Sequence, residues 1–576
     1  MIRCGPSKET IIAVLLLAAF CLPFKADAQK AVQTTTLVIQ GGTLIDATGR
    51  PPVEDAVIVI ERGRIKSVGK RGGVSIPKGS RIISAKGKTI LPGFIDGHCH
   101  LVDFMGELYL HLGVTTCPDI SLNDDYWTVA QREGTNLGKI RGPRLWSGGR
   151  WLAGSPPAWA EGGGRRDKGT YLFKTAEEAR KIVREKKELG VDYIKLTEFL
   201  TPEMTKAAAD EAHRLGLPVT AHNIDVFLAA ENGFAGVEHH WAPGMTSISD
   251  LEKRWKIHQD RASGKIDTAD LAFYYESENF DKIIQVMVEK NISWSPTIAT
   301  WFRPLSASAK VFKQSELSIL DDPKAKYLPL AVRAQTLGQY ERYEKFSAEK
   351  LVRVREGYKK IEDFMRRFVK AGGIIRGGSD PNNGLPALGL HEELKMFVEA
   401  GLSPMEAIRS ATINVARTFG KERDFGTVEV GKVADLVVIE GDPLRDIWAT
   451  QNVKMVVLNG EVVDINFHPG YRNPIPSPDP WRSTPSDIEI SPRSIPQGSG
   501  PVVLKVRARR GLEPFHKVTL NGKELETRFV SRSELEATVS REAVKQAGLY
   551  TVMVVGPGEF ASRSSPVYLV VPFKKK

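Results

Sequence analysis

A chain of 576 residues is too long for a single hydrophobic core, and at roughly 150 residues per domain it holds about three or four. Its apolar and charged fractions, 41% and 26%, are those of an ordinary globular protein and exclude both wholesale disorder and a multi-span membrane protein. The formal charge of +11 is dispersed among acidic neighbours, and the only basic run is Lys574 to Lys576, which argues against nucleic-acid binding.

Arg3 and Lys8 precede an apolar run from Ile11 to Leu22, and Ala26-Asp27-Ala28 follows with the small residues of a cleavage site. The run is too short to span a bilayer, so residues 1–28 read as a secretory signal cut after Ala28. The expected location is periplasmic or extracellular, with no integral membrane span after cleavage. Cys4 and Cys21 leave with the signal, and the two remaining cysteines, Cys99 and Cys117, do not make a disulfide scaffold.

Residues 29–91 carry short β-rich runs punctuated by Gly41-Gly42 and Arg62-Gly63-Arg64. From 92 to 425 the texture becomes strand followed by amphipathic helix, over and over. Ile90 to Asp96 is the first strand, and seven more begin near Val114, Arg144, Val191, Leu217, Gly236, Ile292 and Gly373. Between them, Ala176 to Leu189 and Phe280 to Glu289 have helical spacing, and Thr201-Pro202 starts a helix with a cap and a proline at its first position. Eight alternations predict a (β/α)8 TIM barrel, whose site lies at the C-terminal ends of its strands. The segments 150–170 and 241–275 break the rhythm, either as pocket-shaping loops or as plain surface insertions, and 303–346 reads as a lid. After 425, residues 426–468 return to strands and complete a small composite β-sandwich with 29–91. A Pro-rich linker covers 469–487, and 488–576 alternates strands and turns as a separate β-sandwich.

Ligand-type residues gather at the strand ends. His98 and His100 are two apart on a strand, so both imidazoles aim at one spot, while Cys99 between them faces the core. Lys195, His222, His239 and Asp380 close the fourth, fifth, sixth and eighth strands. Each alone has a structural explanation, such as an ion pair or a helix cap, but together they make a metal site the better reading. Imidazole and carboxylate donors favour zinc, ahead of manganese and iron.

The segment Thr89-Ile-Leu-Pro-Gly-Phe-Ile-Asp-Gly-His-Cys-His resembles the first metal motif of the amidohydrolase superfamily, in its imidazolonepropionase-like and Xaa-Pro-dipeptidase-like branch. Met405 to Ala416 and Gly426 to Pro443 resemble that branch's closing segments. The resemblance covers about residues 35–468. It implies one or two divalent metals, with His98 and His100 holding one and His222 and His239 the other. Lys195 would be carboxylated to bridge them, and Asp380 would bind metal and shuttle the proton. His240 departs from the branch, which more often has a small residue there. The C-terminal segment resembles an IPT/TIG-type immunoglobulin-like domain, with Ile490-Ser-Pro, Val518-Thr-Leu-Asn-Gly and Gly548-Leu-Tyr-Thr-Val-Met-Val as its markers.

The leading expectation is hydrolysis of a carbon–nitrogen bond in a small substrate such as a dipeptide or N-acyl amino acid. His240, Tyr274 and Arg376 are the candidate substrate contacts, joined by Tyr275, Arg165 and Arg166. The same site would also serve a lactone or cyclic imide. The reading from another class is a catalytically silent exported binding protein. A homo-oligomer is compatible with all three.

Overall fold

Two stretches of β-rich sequence on either side of the barrel pair with each other. The computed structural model describes residues 36–119, 125–154, 170–197, 200–222, 224–381, 383–475, 488–508, 512, 514, 516–531, 533–555, 564 and 567–572. The expected secretory signal, Arg165, Arg166, most of the expected Pro-rich linker and the terminal lysines lie outside the described residues. No helix among the described residues is long and apolar enough to cross a membrane.

Strands Leu37–Leu44, Val53–Glu61, Arg64–Lys70, Arg81–Ser84 and Thr89–Pro92 join Leu436–Ile439, Val453–Leu458 and Glu461–Val463. The seam is an antiparallel ladder with Leu91 opposite Val437. Period-2 alternation turns Ile39, Ile58, Ile90, Leu436, Val438 and Val457 into one shared core. The predicted composite sandwich is therefore hydrogen-bonded as a single eight-stranded sheet rather than as two.

The predicted first barrel strand is split. Thr89–Pro92 stays in the flanking sheet, and only Phe94–Ile95 pairs in parallel with Val114–Asp119. Gly93 is the junction. A Cβ there would lie 2.2 Å from Thr115 Oγ1, so only glycine lets the chain pass so close.

The barrel strands form two parallel sheets. One contains Phe94–Ile95, Val114–Asp119 and Arg144–Ser147. The other runs Thr170–Phe173, Trp151–Gly154, Ile194–Leu196, Val219–His222, Gly236–Glu238 and Ser293–Ser295. The third strand thus breaks after Ser147 and resumes at Trp151. Asp125, which accepts the Arg150 N–H, and Lys186, 3.1 Å from Asp125, hold the break. The extra strand Thr170–Phe173 falls at the edge of what the sequence reads as a loop.

Residues 375–380 take the place of the eighth strand without forming a ladder. Ile375 bridges Trp294, Gly97 N–H donates to the Gly377 carbonyl at 2.8 Å, and Asp380 N–H donates to the His98 carbonyl at 2.8 Å. Gly378 makes this approach possible, because a Cβ there would sit 2.5 Å from that of His98. The result is a TIM-barrel-like α/β domain whose strands are not joined in one continuous ladder.

Helices Ala176–Leu189 and Phe280–Glu289 form where their spacing predicts, the first behind a Thr175–Glu178 capping box. The 241–275 segment differs from the aperiodic loop expected of it, being largely helical over Trp241–Ser247, Leu251–Ala262 and Thr268–Tyr274. In the 303–346 segment, buried Arg303 lies 2.9 Å from Glu316 and donates to the carbonyls of Thr336 and Asn383 at 2.7 and 2.6 Å. Nearby, Glu393 accepts the Ala299 N–H at 2.7 Å. The C-terminal region is a pair of four-stranded antiparallel sheets around their own core of Leu504, Val518, Leu535, Val552 and Leu569.

Two outcomes follow from this packing. Gly93→Ala should lower the free energy of unfolding by about 1–3 kcal/mol in urea titration, the usual cost of forcing a group into a filled site. Burial pushes the Glu393 carboxyl up to about 8 from an ordinary 4.5. In the unfolded chain that carboxyl ionises above its ordinary value, while the folded chain keeps it protonated. Stability is therefore lost as pH rises from about 4.5 to about 8. Melting temperatures across that window should fall less steeply for Glu393→Gln than for the parent.

Candidate metal centre

His98 and His100 leave the first strand on one side, with ring centroids 5.2 Å apart. Cys99 between them faces the core, its thiol donating to the Pro118 carbonyl at 3.6 Å. The other ligand-type residues converge on the same mouth. The His239 ring lies 4.7 Å from that of His98 and 4.6 Å from that of His222. Asp380 places Oδ1 3.4 Å from His100 Nε2 and Oδ2 3.8 Å from His239 Nδ1. One ligand atom from each of His98, His239 and Asp380 lies within 4.8 Å of the others. Lys195 reaches the same floor from the fourth strand, and all six side chains are buried.

Their hub is a residue that the motif search passed over. Glu238 accepts from His98 Nδ1 at 2.8 Å and stands 3.1 Å from both Lys195 Nζ and Arg376 Nη2. The signal in the sequence was its position, directly before His239 on a strand otherwise apolar. Its bond to Nδ1 leaves His98 Nε2 as the ligand atom, and Thr297 Oγ1, 2.7 Å from His239 Nδ1, does the same for His239. Burial alone would raise the Glu238 carboxyl, but Arg376, Lys195 and His98 outweigh it and hold it well below the usual range.

Three residues of the site carry backbone strain. His239, Thr297 and Asp380 adopt left-handed φ of 59°, 50° and 34°, a region non-glycine residues avoid. Such strain persists only where the surroundings over-determine it, and it gathers at functional sites. Ser379 helps to impose it by donating its N–H and hydroxyl to Asp96 at 2.8 and 2.5 Å.

The charge states suit a cation. Burial favours the uncharged Asp380, but the bond to His100 and the neighbouring His98 and His239 outweigh it and leave the carboxyl far below its ordinary range. Burial drives His239 well below its usual value, so it is a neutral imidazole with a free lone pair. Burial also brings the Lys195 amine down to about 8, against the pull of Glu238. A neutral His239, a His98 ring oriented by Glu238 and an ionised Asp380 carboxylate, all within ligand spacing, are a donor set that fits a divalent metal.

The three expected substrate contacts fare differently. Arg376 is fully buried beneath the ligands, donating to the Gly97 carbonyl at 3.1 Å and pairing with Glu238. It neutralises the floor of the site and does not face a substrate. Tyr274 packs against Phe273, and its neighbour Tyr275 is the residue that meets His240, with the hydroxyl 2.8 Å from Nδ1. His240 is buried and burial lowers it to about 3, so it adds no charge to the mouth.

Ligand-bearing strand ends on a TIM-barrel-like domain define a metal-dependent hydrolase. The Amidohydrolase family model matches residues 110–463, more than half of the chain, and the protein belongs to that family. It is 25% identical over 457 residues to an imidazolonepropionase of Symbiobacterium thermophilum, across 70% of this chain and 90% of that one. A 5-methylthioadenosine/S-adenosylhomocysteine deaminase of the same organism is 43% identical over 65 residues, only 15% of that relative's length. Among solved structures, a Xaa-Pro dipeptidase with methionine bound in its active site is 20% identical, with a TM-score of 0.52. That match covers 75% of this chain and all of the dipeptidase. A. niger ochratoxinase is 19% identical with a TM-score of 0.51, over 76% of this chain and 96% of that one. At these identities the structures establish the shared fold.

Because Glu238 orients His98, Glu238→Gln should weaken zinc binding by about 10–100-fold in chelator competition. Unchanged affinity would show that the carboxylate does not position its histidine.

Proposed function

We propose that the protein is an exported metal-dependent amidohydrolase that cleaves the carbon–nitrogen bond of a small amide, such as a dipeptide or N-acyl amino acid. The observation that carries this reading is the convergence of His98, His239 and Asp380 ligand atoms within 4.8 Å, in a buried mouth that His100 and His222 also enter. These five residues would hold one or two divalent cations, zinc foremost, with Lys195 as a bridging ligand if it is carboxylated. A cation bound there lowers the pKa of a water molecule and polarises the substrate carbonyl.

The chain's own groups do the remaining work. Asp380 is ionised before the reaction, so its carboxylate accepts the water's proton and passes it to the leaving nitrogen. Its backbone is clamped, with the N–H donating to the His98 carbonyl at 2.8 Å and the carbonyl accepting from Thr300 Oγ1 at 2.9 Å. The carboxylate therefore moves the proton over a fixed path. Glu238 and Thr297 hold the rings of His98 and His239 in their ligating tautomers. The Xaa-Pro dipeptidase among the similar structures supports a peptide-like substrate. The C-terminal pair of sheets reads as an immunoglobulin-like module of IPT/TIG type, on its strand pattern, that spaces or docks the enzyme.

Purified protein should carry at least about one equivalent of divalent metal per chain and hydrolyse members of a dipeptide and N-acyl amino acid panel. Substoichiometric metal with no turnover would sink the proposal. Asp380→Asn should lower kcat by at least about 100-fold, the lower end of what a positioned acid–base group supplies. Full activity in that variant would remove Asp380 from its role.

A further inference from the structure

Ten tryptophans are spread through the chain; Trp151 and Trp241 reach the candidate metal ligands, and Trp301 packs on Trp241. Trp151 opens the resumed third strand. Its ring lies 5.7 Å from that of His100 and stacks on His222 at 5.7 Å with a 25° tilt. Trp241, two residues beyond His239, meets His222 edge-on at 5.2 Å and His239 at 4.7 Å. Trp301, in the helix Ile298–Phe302 after the seventh strand, lies 5.7 Å from Trp241. The Tyr343 hydroxyl pins Trp301 by donating to its carbonyl at 2.7 Å. Together the indoles make a wall from His100 past His222 and His239 to the 303–346 segment.

Packing alone does not account for these residues. The indole N–H groups of Trp241 and Trp301 are buried and have no acceptor among the described residues. Buried polar groups almost always find a partner in the folded chain, and a well-packed interior places tryptophan only where its N–H is served. Leucine or phenylalanine would fill the same space with no orphaned donor. Two spare donors on an aromatic wall beside a metal site are what a ligand with a flat ring and an adjacent oxygen requires. The Arg261 guanidinium, 5.0 Å from the Trp241 ring centroid, brings a cation to the same residue.

We infer that this wall is the specificity surface of the active site, and that its substrates carry a planar aromatic group next to the scissile amide. The class is aryl-acylated amino acids, or dipeptides and N-acyl amino acids with an aromatic side chain at the cleaved bond. The ring lies against Trp241 and Trp301, and an acceptor oxygen meets an indole N–H. The inference rests on the amidohydrolase reading and narrows it.

The test uses the full-length, metal-loaded protein and two matched pairs: N-benzoylglycine against N-butyrylglycine, and N-acetylphenylalanine against N-acetylleucine. In at least one pair the aromatic member should be favoured by about tenfold or more in kcat/KM, a fold-change within reach of indole stacking. Trp301→Leu should shrink that ratio, and Trp301→Phe, which keeps an aromatic face, should retain more of it. Hydrolysis with ratios near one in both pairs overturns the inference and leaves the amidohydrolase reading intact. If no member is hydrolysed, that reading fails, and equilibrium binding decides the inference by itself. N-benzoylglycine should then quench tryptophan fluorescence at lower concentration than N-butyrylglycine, and equal quenching overturns it.

Discussion

One buried carboxylate organises the active end of the barrel. Glu238 is fully enclosed, and an ionised group in such a place survives only with counter-charges and hydrogen bonds around it. Arg376 from the eighth segment, Lys195 from the fourth strand and His98 from the first supply them. Three parts of the barrel far apart in sequence are therefore tied through one side chain. This matters because the barrel's hydrogen-bonded ladder is interrupted between the sixth-to-eighth-strand side and the first strand. Where backbone pairing is sparse, the charge cluster supplies the missing cross-links, and the candidate metal ligands sit directly on it.

A second buried charge, Arg303, performs the same service one layer further out. It gathers Glu316, the Thr336 carbonyl and the Asn383 carbonyl, so the 303–346 segment and the loop after Asp380 share one anchor. Glu392 joins the group, its carboxyl held well above the ordinary value by burial and by Glu316. Two acids beside one base in a dry space are costly to ionise together, and burial raises the Glu316 carboxyl as well. The region the sequence reads as a lid is thereby fastened to the barrel rather than resting on it.

Much of this was legible in the residues themselves. The strand-then-helix rhythm and the HxH spacing pointed to a barrel mouth, because side-chain direction on a strand is fixed by geometry. Helices with capping boxes, such as Ala176–Leu189, were readable to their ends. What escaped was set by partners distant in the chain. Nothing local in Ile90 to Asp96 says that Gly93 divides it between two sheets, because Thr115 is what forbids a side chain there. Arg376 reads in the sequence as a substrate contact, because its partner Glu238 is distant in the chain. The 241–275 segment lacks strong amphipathic spacing, and its helices depend on caps such as Asp250 and on contacts with the barrel.

The left-handed backbone at His239, Thr297 and Asp380 has a consequence for how this protein can be changed. Glycine would relieve the strain at each position, so selection for heat resistance alone would be drawn to them. Each such replacement would remove a candidate metal ligand or the partner that orients one. Any stability gained at these three positions would thus be taken from the candidate site itself. A stabilised descendant that keeps its activity must find its gains elsewhere, in the flanking sheet or the C-terminal core.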